Sequence, residues 1–224
     1  MPMNALPVDV SPAKRPERVT LQGRYMTVMP LDPVVHGAAL WAAVGGPDKA
    51  ALWDYMPDGP FPDAASLNAV LHAKAVSEDP FFFALVDNAS GLATGHASLM
   101  RIDPKHRVIE VGGIMYGPAL QRTCGATEAM YLLARYAFEE LGYRRYEWKC
   151  NLLNEPSRRA ALRLGFQFEG VFRQHMIIKG CNRDTAWFSM LDSEWPARKE
   201  AFERWLEPGN FGGDGRQKTL LTAA

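Results

Sequence analysis

The sequence predicts an α/β protein built on one mixed sheet with helices on both faces. Three observations predict it. Val108 to Tyr116 is a run of strand formers, interrupted by Gly112-Gly113 and broken by Pro118, that leads into a long amphipathic helix. A second strand, Arg145 to Cys150, passes into a short helix through Asn154-Glu155-Pro156-Ser157. On either side of these units the chain alternates as antiparallel hairpins do, and strands interleaved with helices belong to the α/β class.

Taken in order, Val19 to Met29 forms a first strand with a bend at Gly23, and Asp32 caps a helix reaching Val44. Leu52 to Phe61 is an aromatic loop whose Pro and Gly rule out a regular element. Asp63 starts a helix to Ser77, after which Phe81 to Val86 and Leu92 to Ile102 pair around the turn Asp87-Asn88-Ala89-Ser90-Gly91. The long helix after Val108 to Tyr116 buries Ala126, Met130, Leu133, Ala137 and Leu141 at three- and four-residue spacing and stops at Gly142. Gln167 to Ile178 and Thr185 to Leu191 form a hairpin across Lys179 to Asp184, and Glu194 to Leu206 a last helix. Residues 1–17 are expected to be a flexible extension, 18–206 one folded domain and 207–224 a flexible tail.

Composition narrows the function classes. With 47% hydrophobic and 11% aromatic residues the 224-residue chain buries a proper core. Its 25 basic and 25 acidic residues cancel, so neither nucleic acid nor an anionic membrane is expected as a partner. Three cysteines without a Cys-x-x-Cys pair argue against a disulfide framework and a zinc site, and the five histidines are too scattered for a metal; a reducing cytoplasm is expected. The Pro-rich start, through Pro2, Pro7, Pro12 and Pro16, lacks the apolar run of a signal peptide.

The most informative stretch is Gln121 to Ala129, which joins the glycine-interrupted strand to the long helix. Free N–H groups and the positive end of the helix dipole meet there at the end of a sheet, a place suited to a pyrophosphate. Strand, Gln-led loop, helix, strand, Asn-x-x-Ser, helix and Leu164-Gly165-Phe166, in that order, resemble the GCN5-related N-acetyltransferase superfamily. The chain is most similar to its ribosomal-protein alanine N-acetyltransferase branch, on Thr127-Glu128-Ala129, Asn154-Glu155-Pro156-Ser157 and Glu169-Gly170-Val171-Phe172-Arg173. The similarity spans residues 18 to 195 and is most specific between 108 and 175.

The resemblance implies a sheet splayed between its fourth and fifth strands, with acetyl-CoA, or another acyl-CoA such as succinyl-CoA, as co-substrate. The acyl group passes directly to a primary amine of a protein N-terminus or a small molecule. Main-chain groups of Gly113, Ile114 and Met115 would bond the pantetheine arm like a third strand, and a nearby N–H would stabilise the oxyanion. Gln121, Arg122, Thr123, Cys124, Gly125 and Ala126 would hold the phosphates, with Cys124 standing where the family's Gln/Arg-x-x-Gly-x-Gly/Ala loop has its first glycine. Asn154 meets the pantetheine arm or simply caps its helix. Ser157 returns a proton to the leaving thiolate, with Tyr116 as the rival donor.

Glu110 is the first candidate base and Glu147 the second. Lys149 occupies a position where some relatives carry Glu, which suggests attraction of a negatively charged acyl group or substrate carboxylate. Trp53, Tyr55, Met56 and Phe61 either gather the acceptor or pack in the core, and exposure of Trp53 distinguishes the two. His175, on the late hairpin, faces the acceptor or is satisfied structurally. A non-catalytic acyl-CoA sensor is the alternative function. The C-terminal hairpin and helix offer a surface for a homodimer.

Overall fold

The computed structural model describes residues 9–213 and 215–221. Eight strands form one sheet: β1 (Leu21–Gln22), β2 (Met26–Pro30), β3 (Phe81–Asp87), β4 (Ala93–Asp103), β5 (Val108–Tyr116), β6 (Arg145–Asn151), β7 (Gln167–Ile178) and β8 (Cys181–Leu191). Their spatial order is β1-β2-β3-β4-β5-β6-β8-β7. Five helices accompany them: α1 (Pro33–Val44), α2 (Ala64–Val76), α3 (Cys124–Arg135), α4 (Glu155–Arg163) and α5 (Trp195–Leu206). Every described pairing is antiparallel except β5 with β6, which run parallel.

Local chemistry explains the boundaries. The Asp32 side chain accepts from the Val34 and Val35 N–H groups at the start of α1, and Asp63 accepts from Ser66 at the start of α2. Residues alternate between two faces of the sheet, and on β3 the alternation separates two cores. Phe81, Phe83 and Leu85 join a large core with Met130 and Leu133 of α3 and Phe202 and Trp205 of α5, while Phe82 and Ala84 join a smaller one with Leu40, Val44, Leu67 and Leu71 of α1 and α2.

The parallel pair is short. Val108 to Val111 match Arg145 to Trp148, after which β5 remains paired with β4 and β6 continues along β8. The sheet therefore opens between these strands, the fourth and fifth if the bent first strand is counted once. The bend is the reason for the larger count: beyond Gly23 the chain turns, and the buried Glu128 carboxylate of α3 accepts the N–H groups of Arg24, Tyr25 and Met26 at 2.8, 2.6 and 2.7 Å.

Two other expectations need correction. A 3-10 turn, Pro47–Trp53, enters the segment expected to be an irregular loop. The last hairpin turns on only Lys179 and Gly180, at φ 49° and 75°, so residues 181–184 lie in β8 instead of a loop. Some described residues of the terminal segments also bond to the body. Lys14 N–H donates to the Leu141 carbonyl, Trp205 Nε1 to Gln217 Oε1 and Thr219 N–H to Asn210 Oδ1, because these segments supply partners to polar groups at the ends of α3 and α5. Residues 1–8, 214 and 222–224 of the expected extension and tail lie outside the described residues.

Candidate active site

The gap between β5 and β6 begins at a bulge. His96 faces Met115 and Ser98 faces Gly112, so Gly113 and Ile114 together oppose the single residue Ala97. Gly113 has φ +55°, and a Cβ there would lie 3.0 Å from Ser98 Oγ and 3.1 Å from the Phe82 ring. Two β4 side chains fix the bulge. Ser98 Oγ donates to the Gly112 carbonyl at 3.0 Å, and His96 Nδ1 lies 3.0 Å from the Gly113 carbonyl. A carbonyl only accepts, so Nδ1 carries the hydrogen. Burial, aided by the Lys74 charge, pushes the His96 pKa well below its ordinary value and keeps the ring neutral.

At the far end of β5, Gln121 Nε2 donates to the Tyr116 carbonyl and the loop turns through Arg122 at φ 62°. The left-handed residue is thus Arg122, and Cys124 takes the first helical position without needing glycine's freedom. Thr123 caps α3, its Oγ1 accepting from Ala126 N–H at 3.1 Å, so Cys124 and Gly125 hold the first-turn N–H groups that no helical carbonyl can take. Gly125 lies against Met26: a Cβ there would come within 2.8 Å of its sulfur. Burial raises the Cys124 pKa, the reverse of what a nucleophilic thiol requires.

Across the gap, the Asn154 side chain accepts from Ser157 N–H at 3.1 Å and caps α4. Ser157 Oγ accepts from the Trp148 indole at 3.0 Å. Indole nitrogen only donates, so the Ser157 hydrogen stays available. It lies within reach of the Cys150 thiol, whose pKa burial raises and Ser157 partly lowers. Tyr116 is different: its hydroxyl donates to the Ala126 carbonyl at 3.5 Å, and burial pushes its pKa up, so it stays protonated and turned toward α3.

The opposite face of the gap carries a chain of charges. Lys149 Nζ lies 2.8 Å from Glu110 Oε2 and 2.6 Å from Glu147 Oε2, with all three side chains at most 8% exposed. Arg101 reaches Glu110 at 3.4 Å, Arg145 reaches Glu147 at 2.7 Å, and Arg145 forks onto Glu169. Lys149 also lies over the Trp187 ring, 3.7 Å from its centroid, with Arg101 5.5 Å away. Burial holds Glu110 above the usual carboxyl range against the pull of Lys149 and Arg101. Burial acts on Glu147 in the same direction, but its bonds to Lys149 and Arg145 together bring it below that range.

Residues 35–167, more than half of the chain, match the model of the acetyltransferase (GNAT) domain family. The chain belongs to that family. A GCN5-related N-acetyltransferase from Brucella melitensis is 49% identical and superimposes with a TM-score of 0.93, covering 95% of this chain and 96% of that one. A structure described as a probable GNAT-family acetyltransferase from Chromobacterium violaceum is 39% identical, with a TM-score of 0.81 over 88% of this chain and 98% of that one. A Bacillus subtilis (strain 168) protein named "Putative ribosomal N-acetyltransferase YdaF" is 32% identical over 49% of this chain and 59% of its own length. The match to YoaA, named an uncharacterised N-acetyltransferase, covers 49% of that protein, so the chain spans about half to three fifths of the length of these two relatives.

Within this GNAT domain the expected acceptor residues divide. Trp53 is 1% exposed, donates its indole N–H to the Val44 carbonyl at 2.9 Å and packs edge-on against Phe61. It is a core residue, with Phe61 and Met56 packed on the same cluster, because the preceding 3-10 turn folds the ring under α1. Tyr55 remains at the surface and donates to the Leu153 carbonyl at 3.1 Å, spanning from the α1–α2 connection to the edge of the gap. Lys179, at the hairpin tip, donates to the Trp53 carbonyl of the same connection at 2.8 Å. His175 is exposed and bonds Thr185 Oγ1 at 3.0 Å beside Phe172 and Trp187. Lys149, expected to meet a substrate carboxylate, is instead committed to Glu110 and Glu147.

His96, Ser98, Arg101, Arg145, Trp187 and Glu128 belong to the site or its support and escaped sequence reasoning. His96 and Ser98 alternate on one strand beside the paired glycines, the one local signal that was there to be used.

Proposed function

We propose that this protein is an acyl-CoA-dependent N-acetyltransferase, its catalytic unit spanning residues 18–206, that transfers an acetyl or other short acyl group to a primary amine. The observation that carries the reading is the gap itself, with the Gly113-Ile114 bulge on one wall and Ser157 beside the other. Acyl-CoA supplies an activated thioester. Its phosphates fit the start of α3, where Thr123, Cys124, Gly125 and Ala126 present small side chains and Cys124 and Gly125 offer first-turn N–H groups, flanked by Gln121 and Arg122. Gly113, Ile114 and Met115 offer backbone groups to the pantetheine arm, and Asn154 borders it while capping α4.

As the acceptor nitrogen attacks, a C–N bond forms and the C–S bond breaks. The bulge N–H groups stabilise the oxyanion, and their fixed geometry avoids reorganisation during the reaction. Ser157 gives its available hydrogen to the departing sulfur and regains one from solvent, with its oxygen supported by Trp148. The proton shed by the amine passes toward Glu110, whose raised pKa brings it closer to an α-amino group near 8 than an ordinary carboxylate would be. Similarity to YdaF supports a protein N-terminus as the acceptor. Free cysteines at 124, 150 and 181 suit a reducing cytoplasm. Pairing of two copies through the β7–β8 hairpin and α5 belongs to the same proposal and is tested by light scattering.

The deciding experiment incubates the purified protein with acetyl-CoA or succinyl-CoA, with and without N-terminal peptides and small amines, and measures released thiol. Amine-dependent release is expected. Saturable CoA binding without release from any pair would favour a sensor.

A further inference from the structure

The charge chain beside the gap has a surplus cation. On this face Glu110 is bound by Lys149 and Arg101, Glu147 by Lys149 and Arg145, and Glu169 by Arg145. Arg183 lies on β8 four residues before Trp187, and the period of a strand puts the two on the same face. Among the described residues Arg183 makes no ion pair, and its Nε is buried without a hydrogen-bond partner. The Trp187 indole N–H is likewise buried and unpartnered, as is Nε of Arg158, whose Nη1 reaches only the Leu152 carbonyl at 3.4 Å. Arg183 and Trp187 share a strand face, and Arg183 and Arg158 both act on Cys150; the buried carboxylate oxygen that also lacks a hydrogen bond, Asp58 Oδ1, belongs to a group paired with Lys74 of α2, so these donors lack an acceptor-only group.

Its position is next to the chemistry. Arg183 acts electrostatically on Cys150, Glu110 and His175, and Arg158 on Cys150, the residue in contact with Ser157. Burial lowers the Arg183 pKa against the weaker pull of Cys150 and Glu110, which marks a guanidinium held partly out of water and only partly compensated.

Resting on the acyltransferase reading, we infer that Arg183, with Trp187 and Arg158, forms a carboxylate-binding subsite at the mouth of the gap. Two ligands can bring that carboxylate within reach of the reacting centre: a dicarboxylic acyl donor through its distal carboxylate, or an amino-acid acceptor through its α-carboxylate. Arg183 is in this view a specificity residue. It grips one end of a substrate and leaves the bulge, Ser157 and Glu110 to the reaction.

The test uses matched pairs with the full-length protein. One arm compares succinyl-CoA with acetyl-CoA on a single amine; the other compares an amino acid with its amide under acetyl-CoA. In one arm the carboxylate member is expected to be favoured. In Arg183→Gln, kcat/KM for that member falls by roughly 10–100-fold through KM, as expected for a lost charge-assisted bond, while the neutral member stays within about twofold. Arg183→Lys recovers only part of the preference, because an ammonium cannot fork onto a carboxylate. Trp187→Phe, which keeps the ring beside Lys149, lowers the preference without abolishing it.

No preference in either arm, or equal losses for both members in Arg183→Gln, would overturn the subsite while leaving the acyltransferase standing. Absence of thiol release from every pair would overturn the acyltransferase. Calorimetry with the same four ligands then judges the subsite, and equal affinity of carboxylate and neutral members ends it.

Discussion

Replacing Lys149 by Met keeps an unbranched stem and removes only the charge from the centre of the ladder. In the native protein its ammonium lies 2.8 Å from Glu110 and 2.6 Å from Glu147. After the substitution Glu147 retains Arg145 at 2.7 Å, whereas Glu110 keeps only Arg101, at 3.4 Å and 54% exposed. One carboxylate is then stranded inside the sheet, which costs about 3–5 kcal/mol. For a domain of this size that lowers Tm by roughly 6–20 °C.

The pH dependence follows from the sign of the Glu110 shift. Burial already raises its pKa, and loss of Lys149 raises it further. A carboxyl raised in the folded state contributes stability that is present below its unfolded pKa and lost as pH rises through its folded one. The Lys149→Met deficit is therefore greatest at neutral pH and narrows as pH falls toward about 4. The Glu110→Gln/Lys149→Met double variant, which removes the stranded charge, regains most of the loss. Urea unfolding at three pH values measures all of this. A deficit below about 1 kcal/mol, the range of exposed ion pairs, or one that does not change with pH would refute the reasoning.

Glu128→Ala leaves three backbone N–H groups without their carboxylate and is expected to lower stability by about 2–5 kcal/mol in urea unfolding, with Glu128→Gln losing less. Gly113→Ala forces a Cβ into a left-handed residue 3.0 Å from Ser98 Oγ, costs about 1–2 kcal/mol and weakens CoA binding by calorimetry. Ser157→Ala is expected to lower kcat by roughly 100-fold with little change in KM for the acyl donor, and an unchanged kcat would transfer the proton role to Tyr116 or solvent.

Local signals in the sequence carried the fold well. Asp32, Asp63 and Asn154 announce helix starts because capping is decided within three residues, and the strand periods separate the two faces. Misread were features decided over long distances. Glu128 serves N–H groups more than a hundred positions upstream, and no local pattern reports that. Trp53 sits among turn residues yet turns under α1, a tertiary choice invisible in its neighbours. Lys149 looked like a lone cation because Glu110 joins it only through parallel pairing of β5 and β6. Arg183 falls within the six-residue connection that the pattern predicts, whereas the observed turn takes only two residues and leaves it in β8.

The division of the interior by the sheet has a dynamic consequence. The core under α1 and α2 draws on far fewer side chains than the one under α3 and α5, so less free energy opposes its opening. Amide hydrogens of α1 and α2 should exchange before those of α3. The molecule thus has a yielding side and a firm side, and the edge-spanning contacts of Tyr55 and Lys179 both belong to the side that yields.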